Sequence, residues 1–273
     1  MRNNWRKYND ALIPILPPHL SVLEKEKEIL RLLSKSKTYF ARYITNFDSS
    51  KETLFWYVIN DNPIDIIDYD IKTRNQIRKG LKMCNIRKIT REEFVKYGYE
   101  VYHKAFQKYK TFNKIISKDI FQNQIIKLDN NCDIWGVFNL QGELIGYSQN
   151  NVRGNVCEFS STKFHPNYLK SRPSEALFYT MCNYYLNEKR FKYIHNGTRS
   201  IAHHTNIQEF LIKKFKFRKA FCYLHVVYSP KIKILINIFY PFRNIIQKVN
   251  LNLFQKVGIV LKQEEIVREQ LNE

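Results

Sequence analysis

Hydrophobic and polar positions in this chain repeat with two different periods. Apolar residues three and four apart mark helices, and every-second-residue alternation marks strands. Val22, Ile29, Leu30, Leu32 and Leu33 stand around a charged run and predict a helix over 23–33. Before it, residues 11–18 are apolar but broken by Pro14, Pro17 and Pro18, which predicts an irregular, extended segment lying over a core. Residues 39–47 and 53–59 are rich in aromatic and β-branched side chains and flank a polar run, so they predict a hairpin. The basic stretch 73–82 predicts a helix, with Asp68 and Asp70 suited to the positive end of its dipole. A short strand over 84–89 follows. Thr90 and Glu93 have the spacing of a capping box and open a helix over 91–108. A further helix covers 118–128.

Three alternating runs, 133–139, 144–151 and 156–164, predict an antiparallel meander turned by Gln141-Gly142 and Arg153-Gly154-Asn155. Pro173 is a favourable first helical residue, so a helix is expected over 174–187. Residues 191–228 then compress a strand ending at His195, a polar loop, a short helix bearing Ile207, Phe210, Leu211 and Phe215, and a long strand over 220–228. From 84 to 228 the order reads β-α-α-β-β-β-α-β-α-β, an α+β (mixed α/β) fold class with a late crossover. Beyond 230, Leu235, Ile238, Phe239, Phe242, Ile245, Ile246, Val249, Leu253 and Val257 fall at helical spacing and predict an amphipathic helix kinked at Pro241. The expected division is an N-terminal extension (1–82), a core domain (83–229) and a helical tail (230–273).

Composition narrows the class. The 273 residues are 44% hydrophobic and 15% aromatic, which excludes a disordered chain, and eight Gly with eight Pro leave little for flexible linkers. The five cysteines form no CxxC pair, so neither a zinc ribbon nor a disulfide framework is indicated, and a reducing compartment fits. The basic N-terminus lacks an apolar leader core, and no uncharged apolar run reaches the roughly 18 residues of a membrane span. The expectation is a cytoplasmic protein, with contact at the inner membrane surface through 231–261 as one option beside intramolecular packing or pairing with a second subunit. The formal charge of +20 attracts polyanions: nucleic acid, anionic lipid or phosphorylated cofactors. The same abundance of Lys, Asn and Ile is what an AT-rich coding sequence produces, so solvated lysines are the plain alternative.

The element order resembles the GNAT acyltransferase superfamily, in which a central mixed sheet is flanked by helices and acyl-CoA sits where two parallel strands splay apart. Residues 156–164 and 191–195 correspond to those strands. The family's late helix carries an early Asn and ends in a Gly-Phe pair; here Asn206 and Lys216-Phe217 stand at those places, with Lys for Gly. The family's pyrophosphate loop is Gln or Arg, two residues, Gly, one residue, then Gly or Ala. Here it reads Leu169-Lys170-Ser171-Arg172-Pro173-Ser174, without glycine. A late helical Tyr often serves as general acid, and Ile212 occupies the nearest position. The basic helix over 73–80 followed by a strand is similar to the FemAB-like branch, whose members transfer amino acids from aminoacyl-tRNA to cell-wall precursors, or acyl groups to sugars and lipids.

The resemblance implies an acyltransferase with acyl-CoA (acetyl-CoA) or aminoacyl-tRNA as donor, and an amine or hydroxyl of a sugar, lipid or cell-envelope precursor as acceptor, with no metal. Lys170, Arg172, Ser174 and Asn206 would bind the donor. Catalysis needs a base for the acceptor, and Glu158, His203 and His204 are the candidates. Arg199 could fork onto a phosphate or carboxylate of the substrate. Each has a plainer role: Glu158 turned to solvent, the histidines fastening their loop, Arg199 in a salt bridge, Asn206 capping a helix. Arg74, Arg78, Lys79 and Lys82 would meet tRNA or a phosphorylated glycan carrier if their helix lines a groove, a solvated face being the plainer reading. Two other classes stay open: a non-catalytic GNAT-like module binding an anionic partner, and a nucleic-acid binder acting through charge alone. Oligomeric state is not legible.

Overall fold

A computed structural model describes residues 4–8, 10–108, 114–201, 206–246 and 252–272. In chain order they begin with β1 (Trp5–Tyr8), β2 (Ala11–Pro14), α1 (Glu26–Ser36), β3 (Phe40–Ser49) and β4 (Phe55–Asn60). There follow α2 (Ile71–Met83), β5 (Asn85–Lys88), α3 (Arg91–Phe106) and α4 (Lys118–Ile126). The meander is β6 (Cys132–Phe138), β7 (Leu144–Arg153) and β8 (Val156–Phe164). Then come α5 (Pro173–Cys182), β9 (Tyr193–Thr198), α6 (Asn206–Phe215) and β10 (Arg218–Tyr228). The C-terminal helices are α7 (Pro230–Phe239), α8 (Arg243–Ile246) and α9 (Asn252–Asn272). The class is mixed α/β, with mixed sheets flanked by helices and a helical C-terminus. The chain divides into two compact units that alternate along the sequence: Met1–Tyr57, Thr198–Asn206 and Lys219–Glu273 form one, and Val58–Gly197 with Ile207–Arg218 the other.

In the first unit β1 pairs antiparallel with β2, β2 parallel with β3, and β3 antiparallel with β10. The first half of the proline-broken segment is therefore a strand, and only residues 15–18 are irregular: Pro14 is the last residue of β2, where a missing N–H interrupts no ladder. The expected hairpin of β3 with β4 does not form, because β10 lies between them. β10 is the longest strand, and pairing with it buries Cys222 and Leu224 beside Ile44 and Phe55. Thr53 fixes the entry to β4 by donating its hydroxyl to the Cys222 carbonyl (2.8 Å). On another part of this unit α1 packs Ile29 and Leu33 on Trp5, Leu12 and Ala41. The C-terminal stretch is not one kinked helix. Pro241 cannot donate to a helical ladder, so α7 ends in a 3₁₀ turn over Tyr240–Phe242 before α8, and residues 247–251 of the expected helix fall outside the described ones.

In the second unit β5, β6, β7 and β8 are antiparallel neighbours, and β8 pairs parallel with β9. Thr90 caps α3 as its spacing with Glu93 predicts: the Thr90 hydroxyl accepts from Glu93 N–H and the Glu93 carboxylate accepts from Thr90 N–H. One face of the sheet is covered by α3 and α4, where Phe94 meets Tyr147 at 4.6 Å between centroids. α5 covers the other face with Leu177, Phe178 and Met181. It continues into a π-helical turn over Asn183–Glu188 that buries Tyr185 completely. α2 crosses the start of α5 at Gly80, where a Cβ would lie 2.5 Å from the Arg172 carbonyl oxygen, so only glycine fits.

Candidate functional site

The ladder between β8 and β9 is short. It runs through Val156↔Tyr193 and Cys157↔Ile194 and stops at Glu158↔His195. The cause lies one residue further along β8. Phe159 pairs with Asn150 of β7 and Ser161 with Gln149, which leaves Ser160 as an extra residue and bends the strand. Past this bulge β8 leaves β9. Asn196 Nδ2 reaches across the opening and donates to the Phe159 carbonyl at 3.2 Å.

Three polar side chains meet where the strands part. Asn151 of β7 stands opposite Glu158 and donates from Nδ2 to Glu158 Oε2 at 2.8 Å. His195 is buried, and burial pushes its imidazole down to about 4 against the opposing pull of the Glu158 charge. Gly197 N–H donates to His195 Nδ1 at 3.2 Å, so the neutral ring carries its proton on Nε2. Gly197 reaches this contact with φ +71, a conformation that suits glycine. Further along β8, Lys163 pairs with Tyr147 across the ladder, and burial lowers its amine below the ordinary lysine range. The arrangement offers a half-buried carboxylate, a neutral imidazole and a strand edge released from its parallel partner.

The loop before α5 is a 3₁₀ turn over Pro166–Ser171 ending at Arg172, whose φ of 61 is left-handed. Arg172 stands where the GNAT loop has its first glycine. Lys216, where the late motif has its glycine, is left-handed too, at φ 58, and Phe217 behind it is buried. At both places a non-glycine residue stands in the left-handed region that glycine adopts without strain.

What fills the start of α5 is a carboxylate of the chain itself. Glu175 is 2% exposed. Its Oε2 accepts from the Ser174 hydroxyl (2.7 Å) and its Oε1 from Lys214 Nζ of α6 (2.9 Å), with Arg172 3.6 Å away. Burial works to raise this carboxyl, but the Ser174 and Lys214 hydrogen bonds and the Lys214 charge outweigh it, so it titrates below its ordinary value. Lys214 also donates to Gln76 of α2. The positive end of the α5 dipole thus already holds an anion.

No family model matches the sequence, and no curated protein matches it either. Solved structures do. FemX is similar with a TM-score of 0.53 at 10% identity, over 79% of this chain and 81% of that one. A C-terminal domain assigned to a lysylphosphatidylglycerol synthetase from Agrobacterium fabrum gives 0.51 at 9% identity, over 83% and 81%. L-PGS from Bacillus licheniformis gives 0.51 at 12% identity, over 97% and 85%. The chain shares the fold of these three structures.

Within this fold the residues expected from the sequence are scattered. Glu158 is at the strand parting. Arg172 and Ser174 stand at the start of α5, engaged with Glu175, while Lys170 is exposed on the loop before it. Asn206 is exposed as the first residue of α6. Arg199 follows β9, lies over the Trp56 ring at 4.5 Å and donates to the Leu54 carbonyl, with burial lowering its guanidinium. His203 and His204 lie outside the described residues. Sequence reasoning missed His195, Asn151, Lys163 and Glu175. His195 had one signal, its place at a strand end before an Asn-Gly break and across from the Glu158 strand. Glu175 had none beyond being a first-turn acid. Among the described residues no group of three or more His, Cys, Asp or Glu could hold a metal.

Proposed function

We propose that this chain is an acyl- or aminoacyl-transferase working at the parting of β8 and β9, and that its donor is an aminoacyl ester on tRNA in preference to acyl-CoA. The observation that carries the choice of donor is Glu175. In GNAT enzymes the CoA pyrophosphate rests on the start of this helix. Here a buried carboxylate with its own cation holds that position, Pro173 supplies no N–H, and Gly80 of α2 presses on the Arg172 carbonyl. A pyrophosphate brought there meets like charge. An ester of a ribose hydroxyl needs no pyrophosphate seat.

The chemistry asks little of the protein. The acceptor amine or hydroxyl, on a sugar, lipid or cell-envelope precursor, attacks the ester carbonyl carbon. The new C–N or C–O bond forms as the ribose oxygen leaves, and the proton lost by the acceptor ends on that oxygen. Glu158, held by Asn151, is the group placed to take the proton first. His195 Nε2–H and the backbone N–H groups of β8 past the bulge are the neutral donors that this place could turn toward the tetrahedral oxyanion. The likeness to a lysylphosphatidylglycerol synthetase domain, whose name describes a lysyl group on a lipid, supports this class of reaction without fixing the acceptor.

Thermal-shift titration with acetyl-CoA, palmitoyl-CoA and bulk aminoacyl-tRNA tests the reading. A shift with charged tRNA, with radiolabel leaving the tRNA when an amine or hydroxyl acceptor is added, is the expected result. Saturable acetyl-CoA binding in the wild type would sink the choice of donor. Binding of tRNA without transfer to any acceptor would favour a non-catalytic anion-binding module.

A further inference from the structure

The first unit ends in a segment that is apolar on both sides. On its inner side α7 packs Ile236, with Tyr240 and Ile246 behind it, against Leu261 of α9. Polar ties fix this side: Arg243 Nε donates to Glu265 at 2.8 Å, Arg268 donates to Asn237 at 3.1 Å, and the Arg268 guanidinium lies 3.9 Å over the Tyr240 ring. The core therefore has its share of this segment. Six large apolar side chains are left over on the outside. Ile234, Leu235, Ile238, Phe239, Phe242 and Ile245 are exposed by 62%, 46%, 55%, 40%, 55% and 66%. Scattered exposed apolar residues are ordinary, but six on three consecutive short turns form a patch of the kind that marks a binding surface. A helix apolar all round belongs in a core or in lipid.

Charge indicates the occupant. No Asp or Glu occurs between Glu209 and Glu264, and Lys231 and Lys233 are exposed at the start of the same helix. The acids that approach the segment from α9 face its arginines: Glu265 is paired with Arg243, Glu264 with Arg268 at 2.7 Å, and Glu269 acts on Arg243. The patch thus presents apolar side chains beside unopposed lysine charge, the combination that lies in the headgroup layer of an anionic bilayer. Among the described residues no helix is long and apolar enough to cross a membrane, so the segment would lie on it.

We propose that the outer face of α7 and the turn after it docks this protein on anionic phospholipid, with Ile234, Ile238 and Phe242 entering the acyl boundary and Lys231 and Lys233 at the phosphates. This docking does not depend on the donor or on transferase activity. The experiment is flotation of the full chain with vesicles of phosphatidylcholine alone, or with phosphatidylglycerol added, at low and high salt. Wild type should float with the anionic vesicles at low salt. The triple variant Ile234→Ser, Ile238→Ser, Phe242→Ser should lose about 100-fold in partitioning. The pair Lys231→Glu, Lys233→Glu should lose about tenfold at low salt and little at high salt. Both variants should keep the wild-type melting temperature, since they alter only exposed positions. Absence of wild-type binding at low salt overturns the proposal, as does a triple variant that binds like wild type. A wild-type dimer that the triple variant makes monomeric, with no vesicle binding, assigns the patch instead to a second copy of the chain.

Discussion

Strands β6 to β8 carry polar side chains on both faces, and the two sets differ in one respect. On the α5 face Ser148 donates to Asn150 (2.7 Å) and is bonded to Thr162 (2.9 Å). Tyr185 Oη donates to Asp133 (2.7 Å) and accepts from Trp135 Nε1 (3.0 Å), and Lys88 reaches Asp133 (2.7 Å) and Tyr184 Oη (3.0 Å). Every one of these groups is answered by another inside the same unit, under a π-helical turn that places Tyr185. On the α3 face Asn151, Glu158 and His195 are also bonded, but they sit where a ladder stops and a strand edge is released. A closed polar network fixes a core. A polar cluster at a strand parting has a direction left in which to act. On the function proposed above, the same strands supply a structural and a chemical face, and the Ser160 bulge makes the difference.

The sharpest way to break this contrast is Glu158→Gln. Transfer should fall about 10²- to 10⁴-fold in kcat/KM, as for loss of a general base, with the melting temperature within a few degrees of wild type. Unchanged transfer would move Glu158 to the structural side. The second effect is one of pH. The His195 imidazole, ordinarily near 6.5, is pushed to about 4 by burial, so below pH 6.5 the unfolded chain takes up a proton that the folded one refuses. Stability should therefore fall as pH drops from 6.5 toward 4, by about 3 kcal/mol, and level off below. Denaturant titrations of wild type and His195→Gln across that window should show the slope only in the former.

On the closed face, Tyr185→Phe removes a hydroxyl that serves Asp133 and Trp135, and should cost about 1–3 kcal/mol in urea unfolding. Turnover per folded molecule should stay within a few-fold of wild type; a large loss would erase the distinction between the faces. The smallest effect concerns Lys216. A left-handed backbone at a non-glycine residue is strained, so Lys216→Gly should raise stability by about 0.5–1 kcal/mol, net of the entropy that glycine adds to the unfolded chain.

Local signals in the sequence were reliable and non-local ones were not. The capping box at Thr90, the Gln141-Gly142 turn (Gly142 at φ +81) and the β6–β8 meander are each decided by residues near one another in the sequence, even the meander's widest pairs being Cys132↔Asn151 and Gly146↔Phe164. They read correctly for that reason. The β3–β4 hairpin was the natural local reading of two strand-like runs, and it failed to a strand arriving from more than 150 residues later. Pro14 and Pro241 were read for what they forbid. Pro14 proved harmless at a strand end, and Pro241 more disruptive than a kink. Glu158 draws notice in the sequence because a charge inside an apolar run is conspicuous. His195 and Glu175 acquire meaning only from a neighbour in space, the released edge for one and Lys214 for the other, and no periodicity encodes that.

The insertion of β10 between β3 and β4 also sets a schedule for making the protein. β3 can pair with β2 as soon as both are made, but its other edge, and the edge of β4 that β10 covers, wait until residues 218–228 have been synthesised, and Ile266 of α9 completes the cluster around Phe55 and Leu224 later still. Through most of translation the N-terminal strands present unsatisfied edges. The second unit, apart from α6, is built from one continuous stretch and can assemble while the first waits. Newly made chains are thus expected to pass through a half-folded stage whose exposed β3 edge is a natural target for chaperones.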